Sequence, residues 1–205
     1  MQSVLPIQLG DRQDVQTFRR SMMGKIILTV SATALVALCA HMSIPLVFTP
    51  VPLTLQTLAV VLVGLTLGPS LGCSAMLLYL LEGAMGMPVF SPQGPGGVAQ
   101  LLGPTAGFLL SFPLAAAAAG GIVRAVRLGG SHFLSALLAA SAATLLFFAL
   151  GAGWVAHLLH LSTSAAWHLA VAPFLPGEMI KVCAVASAYA LLHRWHGTWF
   201  HGSQL

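Results

Sequence analysis

Charged side chains are almost missing from the body of this chain. Between Lys25 and Arg124 the only one is Glu82, and between Arg127 and Arg194 there are only Glu178 and Lys181. Four acids and eight Lys or Arg in 205 residues make 6% charged residues, against about a quarter in a soluble domain. Hydrophobic residues reach 58% and mean hydropathy is +0.92. A chain of this kind is a polytopic membrane protein, with room for about five to seven spans of roughly 20 residues. No room is left for a separate soluble catalytic domain. Cys39, Cys73 and Cys183 stand singly in apolar runs, without the spacing of a disulfide framework or a thiolate metal site.

The expected fold class is an all-α membrane protein, a bundle of six transmembrane helices with both termini in the cytoplasm. The spans fall at about 24–41, 53–68, 71–84, 104–122, 133–156 and 176–192. Residues 1–22, with Asp11, Arg12, Asp14, Arg19 and Arg20, form a polar cytoplasmic arm, 23–195 the transmembrane domain and 196–205 a cytoplasmic tail. The first apolar run lacks an A-x-A cleavage pattern and reads as a retained helix. Three prolines in eight residues at Pro45, Pro50 and Pro52 forbid a regular helix there. The second span is therefore short: either it is a thinned helix or the proline loop dips into the membrane. Leu67-Gly68-Pro69-Ser70-Leu71-Gly72 and Leu102-Gly103-Pro104-Thr105-Ala106-Gly107 repeat one pattern, a helix stop followed by a proline-led start. On the first span Thr29, Thr33 and Ala37 lie four apart, a small-residue face fit either for internal packing or for a partner helix.

Six spans starting inside place Arg12, Arg19, Arg20, Lys25, Arg124, Arg127 and Arg194 on the cytoplasmic side, as the positive-inside rule requires. The remaining polar groups then converge on the outer face. Pro173-Phe174-Leu175-Pro176-Gly177-Glu178-Met179-Ile180-Lys181 opens the last span with an acid and a base on one helical face, either a ligand site or a structural ion pair. Gln56, Tyr79, Glu82 and the glycine-proline stretch 86–97 fall at the same end. That stretch has no P-loop signature and is long enough to be a lid or a site lining. His157, His160 and His168, and His193, His196 and His201, lack companion carboxylates or thiolates and read as interfacial rather than metal-binding.

Four ordered motifs carry a resemblance: Thr49-Pro50-Val51-Pro52-Leu53-Thr54-Leu55-Gln56-Thr57-Leu58-Ala59-Val60, Gly86-Met87-Pro88-Val89-Phe90, Leu102-Gly103-Pro104-Thr105-Ala106-Gly107-Phe108 and Pro173-Phe174-Leu175-Pro176-Gly177-Glu178. With these the chain, from about residue 24 to 194, resembles the BioY family, the biotin-binding substrate components of energy-coupling-factor transporters. The resemblance implies biotin capture at the outer face of a bacterial inner membrane. It also implies coupling to a separate transmembrane protein and two ATP-binding subunits, with docking through Thr29, Thr33 and Ala37. For the ligand, it makes Gln56 and Glu178 partners of the ureido edge, Tyr79 and Phe90 ring walls, Lys181 the cation and Glu82 a further site residue. Three features depart from the family pattern: Glu178 replaces the usual aspartate, the glycine-proline loop has no arginine, and Thr29, Thr33 and Ala37 replace an alanine-rich docking pattern.

No nucleotide-binding motif, catalytic pair, cofactor or metal signature stands in the chain, and no nucleic-acid partner is expected. An ion-coupled secondary transporter, with Glu82 or Glu178 carrying a proton, is the alternative function class. A membrane enzyme is a third, and a homodimer is left open.

Overall fold

The computed structural model describes residues 21–126, 128 and 130–198, and side chains to residue 194. The arm bearing Arg12, Arg19 and Arg20, Arg127 and the tail beyond 198 lie outside the described residues. In order, the elements are α1 (Met22–His41), β1 (Ser43–Ile44), β2 (Leu53–Thr54), α2 (Gln56–Leu67), α3 (Pro69–Ala84), α4 (Gly97–Leu102), α5 (Ala106–Ala125), α6 (His132–Leu158), α7 (Thr163–Ala170), a 3-10 turn (Ala172–Phe174) and α8 (Leu175–Thr198). The all-α class and the six main helices are as expected, and each expected span lies on one of them.

Their lengths differ more than the sequence suggested. Among the described residues four stretches are long and apolar enough to cross a bilayer: α1, α5, α6 and the run Thr163–Arg194 that joins α7 to α8. By contrast α2 has 12 residues and α3 has 16, about 18 Å and 24 Å at 1.5 Å per residue, against a hydrocarbon core of about 30 Å. Residues 53–55, expected in the second span, instead belong to the approach to it. There the proline-rich segment folds back as a two-residue antiparallel ladder, Ser43 with Thr54 and Ile44 with Leu53. Proline can occupy the connection because its missing N–H is not needed by that ladder.

α2 and α3 form a tight antiparallel pair hinged on one residue. Gly68 takes φ +88°, a left-handed conformation that glycine adopts without a Cβ clash, and Pro69 opens the next helix at once. The same LGP pattern at Gly103 ends the short α4 with φ −83°, so there the stop needs no left-handed residue. Across the hairpin a Cβ on Gly72 would lie 3.2 Å from the Gly64 Cα, and one on Gly64 would lie 2.4 Å from the Ala116 carbonyl oxygen of α5. A Cβ on Gly120 would lie 2.5 Å from the Gly64 oxygen. Backbones this close leave no space for any side chain, the packing device of membrane helices that lack a hydrophobic drive to associate. Arg124 adds a cap, its Nη2 donating to the Leu67 carbonyl at 3.1 Å.

α5 is central, touching α2, α3 and α6, whereas α1 is the least enclosed span. α5 and α6 lock through Gly107, whose Cβ would collide with the Trp154 Cβ, and Trp154 Nε1–H donates to the Gly103 carbonyl at 2.9 Å. The Leu55 N–H bonds to the Met42 carbonyl, so α1 ends where α2 begins. Lys25, Arg124 and Arg194 therefore lie at the opposite end of the bundle from Gln56 and Glu178.

Candidate ligand-binding site

The starts of α2, α5 and α8 and the second half of α6 enclose a partly open cavity of about 590 Å3, measured out to its mouth. Its wall is mostly apolar and strongly aromatic: Phe108 and Phe112 from α5, Phe147 and Phe148 from α6, and Phe174 from the 3-10 turn. Phe112 meets Phe147 edge-on at 5.7 Å between ring centroids. Two polar groups break this wall.

The first gathers on Lys181 and Glu178, each 7% exposed. The helical spacing i, i+3 puts both on one face of α8, where Lys181 Nζ lies 2.6 Å from Glu178 Oε1. Nζ also donates to the Thr54 carbonyl at 2.5 Å and to Thr57 Oγ1 at 3.1 Å. An ammonium has three protons, and all three are engaged. Thr57 then donates its own proton to Glu178 Oε1 at 2.8 Å. A buried charge pair is stable only when such extra bonds satisfy it. Glu178 Oε2 accepts nothing among the described residues, on a side chain that lines the cavity.

Gln56 is 5% exposed and belongs to the same group. Tyr79 donates to the Val89 carbonyl at 2.8 Å, so its oxygen accepts from Gln56 Nε2 at 2.7 Å. That fixes the Gln56 amide, and Oε1 turns to accept from Thr54 Oγ1 at 3.2 Å. One Nε2 proton is left over. The second polar group consists of Ser91, Gln100 and Thr105, from the glycine-proline loop, α4 and the residue before α5.

Of the expected site residues, Gln56, Glu178 and Lys181 line the cavity together. Tyr79 and Phe90 stand behind the wall instead. Tyr79 is fully buried and backs Phe112, with ring centroids 6.2 Å apart, while Phe90 packs edge-on to Tyr79 at 5.5 Å and covers Gly83. Glu82 is not part of the lining. Its Oε1 accepts from Thr33 Oγ1 at 3.1 Å, tying α3 to α1. Thr33 is 2% exposed, while Thr29 and Ala37 on the same face are half-buried, so in this conformation only the middle of that face is covered. The residues missed are Thr57, Ser91, Gln100, Thr105 and the five phenylalanines. Thr57 had a signal, a hydroxyl one residue after Gln56 and hence at the same end of its helix.

An all-α bundle of membrane-spanning helices with a part-enclosed aromatic cavity at one end, bearing one satisfied ion pair, is a multi-pass membrane protein built to hold a small molecule. Comparison with known proteins makes this particular. The sequence pattern of the BioY family matches residues 12–198. A probable biotin transporter BioY of Pyrococcus horikoshii is 36% identical over 148 residues, 72% of this chain and 82% of that protein. The biotin transporter BioY of Rhizobium etli is 34% identical over 173 residues, 78% of this chain and 88% of that protein. A crystal structure of the S-component for biotin from an ECF-type ABC transporter superposes with a TM-score of 0.76 at 21% identity, covering 90% of this chain and 94% of that one. The chain belongs to the BioY family.

Proposed function

We propose that this protein captures biotin in the cavity and acts as the substrate-binding subunit of an energy-coupling-factor transporter. The observation that carries the reading is the match between the cavity's first polar group and a ureido ring. A ureido ring offers two N–H donors and one oxygen acceptor; the cavity presents Glu178 Oε2 and Gln56 Oε1 as acceptors and the remaining Gln56 Nε2 proton as donor. The phenylalanines supply the apolar walls for the sulfur ring and the methylene chain. Lys181 holds Glu178 in place through their 2.6 Å contact. For it to meet the valerate carboxylate, it would have to release one of its three bonds.

The names of the relatives support biotin as the ligand, and the likeness to an S-component supports this architecture. Lys25, Arg124 and Arg194 at the far end support a cavity that opens outward from a bacterial inner membrane, with both termini inside. Energy then comes from a transmembrane coupling protein with two ATP-binding subunits. Docking through Thr33 and Ala37 would require α1 to part from α3 and break the Thr33–Glu82 bond. Calorimetry of the purified protein with biotin, desthiobiotin and thiamine tests the first half: biotin binds tightest and thiamine not at all. Uptake by cells tests the second, since import that survives ATP depletion but collapses with the proton gradient would replace the ATP-driven reading by an ion-coupled one.

A further inference from the structure

The cavity's second polar group stands apart from the residues matched above to the ureido ring, and its centre is Gln100. This side chain is 2% exposed and yet lines the cavity. Its orientation is determined. The Gly96 N–H, which can only donate, lies 3.1 Å from Oε1, so the amide oxygen faces the loop and Nε2 faces away. The loop accommodates the amide because position 94 is glycine, where a Cβ would lie 2.6 Å from Oε1 and 2.8 Å from Nε2. Gly96 itself takes φ +70°, which directs its N–H at the side chain without strain. Nε2 makes no hydrogen bond to any described residue, and it is not sealed in. Its two protons are thus unengaged among the described residues, on a side chain that lines the cavity. Ser91 Oγ, which accepts the Gln93 N–H at 3.5 Å, and the Thr105 hydroxyl line the same space with protons of their own.

A neutral group with several protons to offer suits a group that only accepts. Resting on the biotin reading above, we propose that Gln100 is a specificity-determining residue for the acid end of the ligand's side chain, its Nε2 donating to the carboxylate. Among the described residues that line the cavity Lys181 is the only cation, and its three protons are engaged elsewhere. A neutral donor prefers a carboxylate to an ester or amide carbonyl by only about a factor of two in bond strength, whereas a cation adds the attraction of a full opposite charge. The site is accordingly one that distinguishes biotin only weakly from derivatives whose carboxyl is masked.

Calorimetry with biotin, its methyl ester, biotinamide and the bicyclic ureido head without the side chain tests this. The wild-type protein should bind acid and ester within about tenfold of each other. Gln100→Leu should weaken biotin by about ten- to a hundredfold, the loss of a hydrogen bond to a charged acceptor, and leave the tailless head unchanged. Gln100→Glu, nearly the same shape, should repel biotin and spare biotinamide, whose N–H can donate to the new carboxylate. Should Gln100→Leu fail to fold, the acid-to-amide ratio of Gln100→Glu decides alone. Equal losses for biotin, biotinamide and the tailless head would make Gln100 a packing residue and end the proposal, as would a wild-type preference for acid over ester beyond a hundredfold. A wild-type protein that binds neither biotin nor the head would instead sink the underlying biotin reading.

Discussion

The two ends of α2 are held to their neighbours by opposite means. At the cavity end, side chains do the holding: Lys181, Glu178, Thr57 and Thr54 form a network that Thr54 extends to Gln56, Tyr79 and the Val89 carbonyl, around open space. At the other end, backbone touches backbone. Gly64, Gly72 and Gly120 bring α2, α3 and α5 so close that nothing lies between them. The first arrangement can re-form around a guest because hydrogen bonds exchange partners. The second cannot, since close-packed atoms have nowhere to go. Selectivity and rigidity are thereby assigned to different halves of the same short helices.

Substitutions can break this division, and the largest effect belongs to the ion pair. Lys181→Met leaves Glu178 buried without its partner, a loss of about 3–5 kcal/mol. Thermal unfolding in detergent should show it, and Glu178→Gln added to Lys181→Met should restore much of the stability; a double variant no better than the single one would mean the pair is not coupled. Next comes Gly120→Ala, whose Cβ meets three backbone atoms at 2.5–2.7 Å. Overpacking of this kind costs about 1–3 kcal/mol, or a Tm lower by about 2–12 °C. Because it lies at the rigid end, the relative affinities for biotin and desthiobiotin in the folded fraction should not change. Thr57→Val removes one donor to Glu178 and one acceptor from Lys181, about 2 kcal/mol for bonds to charged groups; unlike Gly120→Ala it should alter ligand preference, measured by calorimetry. The smallest effect is at Arg124→Gln, which weakens the cap on Leu67 by about 1 kcal/mol and should leave binding untouched. A change of ligand preference there would erase the boundary between the two ends.

The long helices were legible because apolar runs and the Pro and Gly residues that bound them are both strong signals. α6 was expected at 133–156 and spans His132–Leu158, and α5 was expected at 104–122 and spans Ala106–Ala125. α4 and α7, with six and eight residues, are too short to display a period of 3.6. The ladder near Pro50 was hidden by the prolines that flank it. At the site, the convergence of Gln56, Glu178 and Lys181 could be read because polar groups are scarce in such a chain. The aromatic wall could not, since a phenylalanine in a membrane helix faces lipid, neighbour or ligand with equal ease. Tyr79 and Phe90 were expected on the wall and support it from behind, a distinction of depth that one-dimensional spacing does not contain. Gln100 gave no signal because its meaning depends on the Gly96 N–H that turns its amide.

The brevity of α2 has an electrical consequence. With Leu67 at one hydrocarbon boundary, Gln56 stops about 12 Å short of the other, given a core of about 30 Å and a helix of about 18 Å. Where water fills the space above, the membrane voltage falls almost wholly across the glycine-packed layer beneath. The field there is steeper than across undisturbed lipid, by roughly the ratio of those thicknesses. An anion settling in the cavity above Gln56 has then done almost no electrical work, and the whole of zFΔψ, about 2.3 kcal/mol per charge per 100 mV, is met only when that layer is passed. Loading of the protein should be indifferent to voltage, and only delivery should feel it.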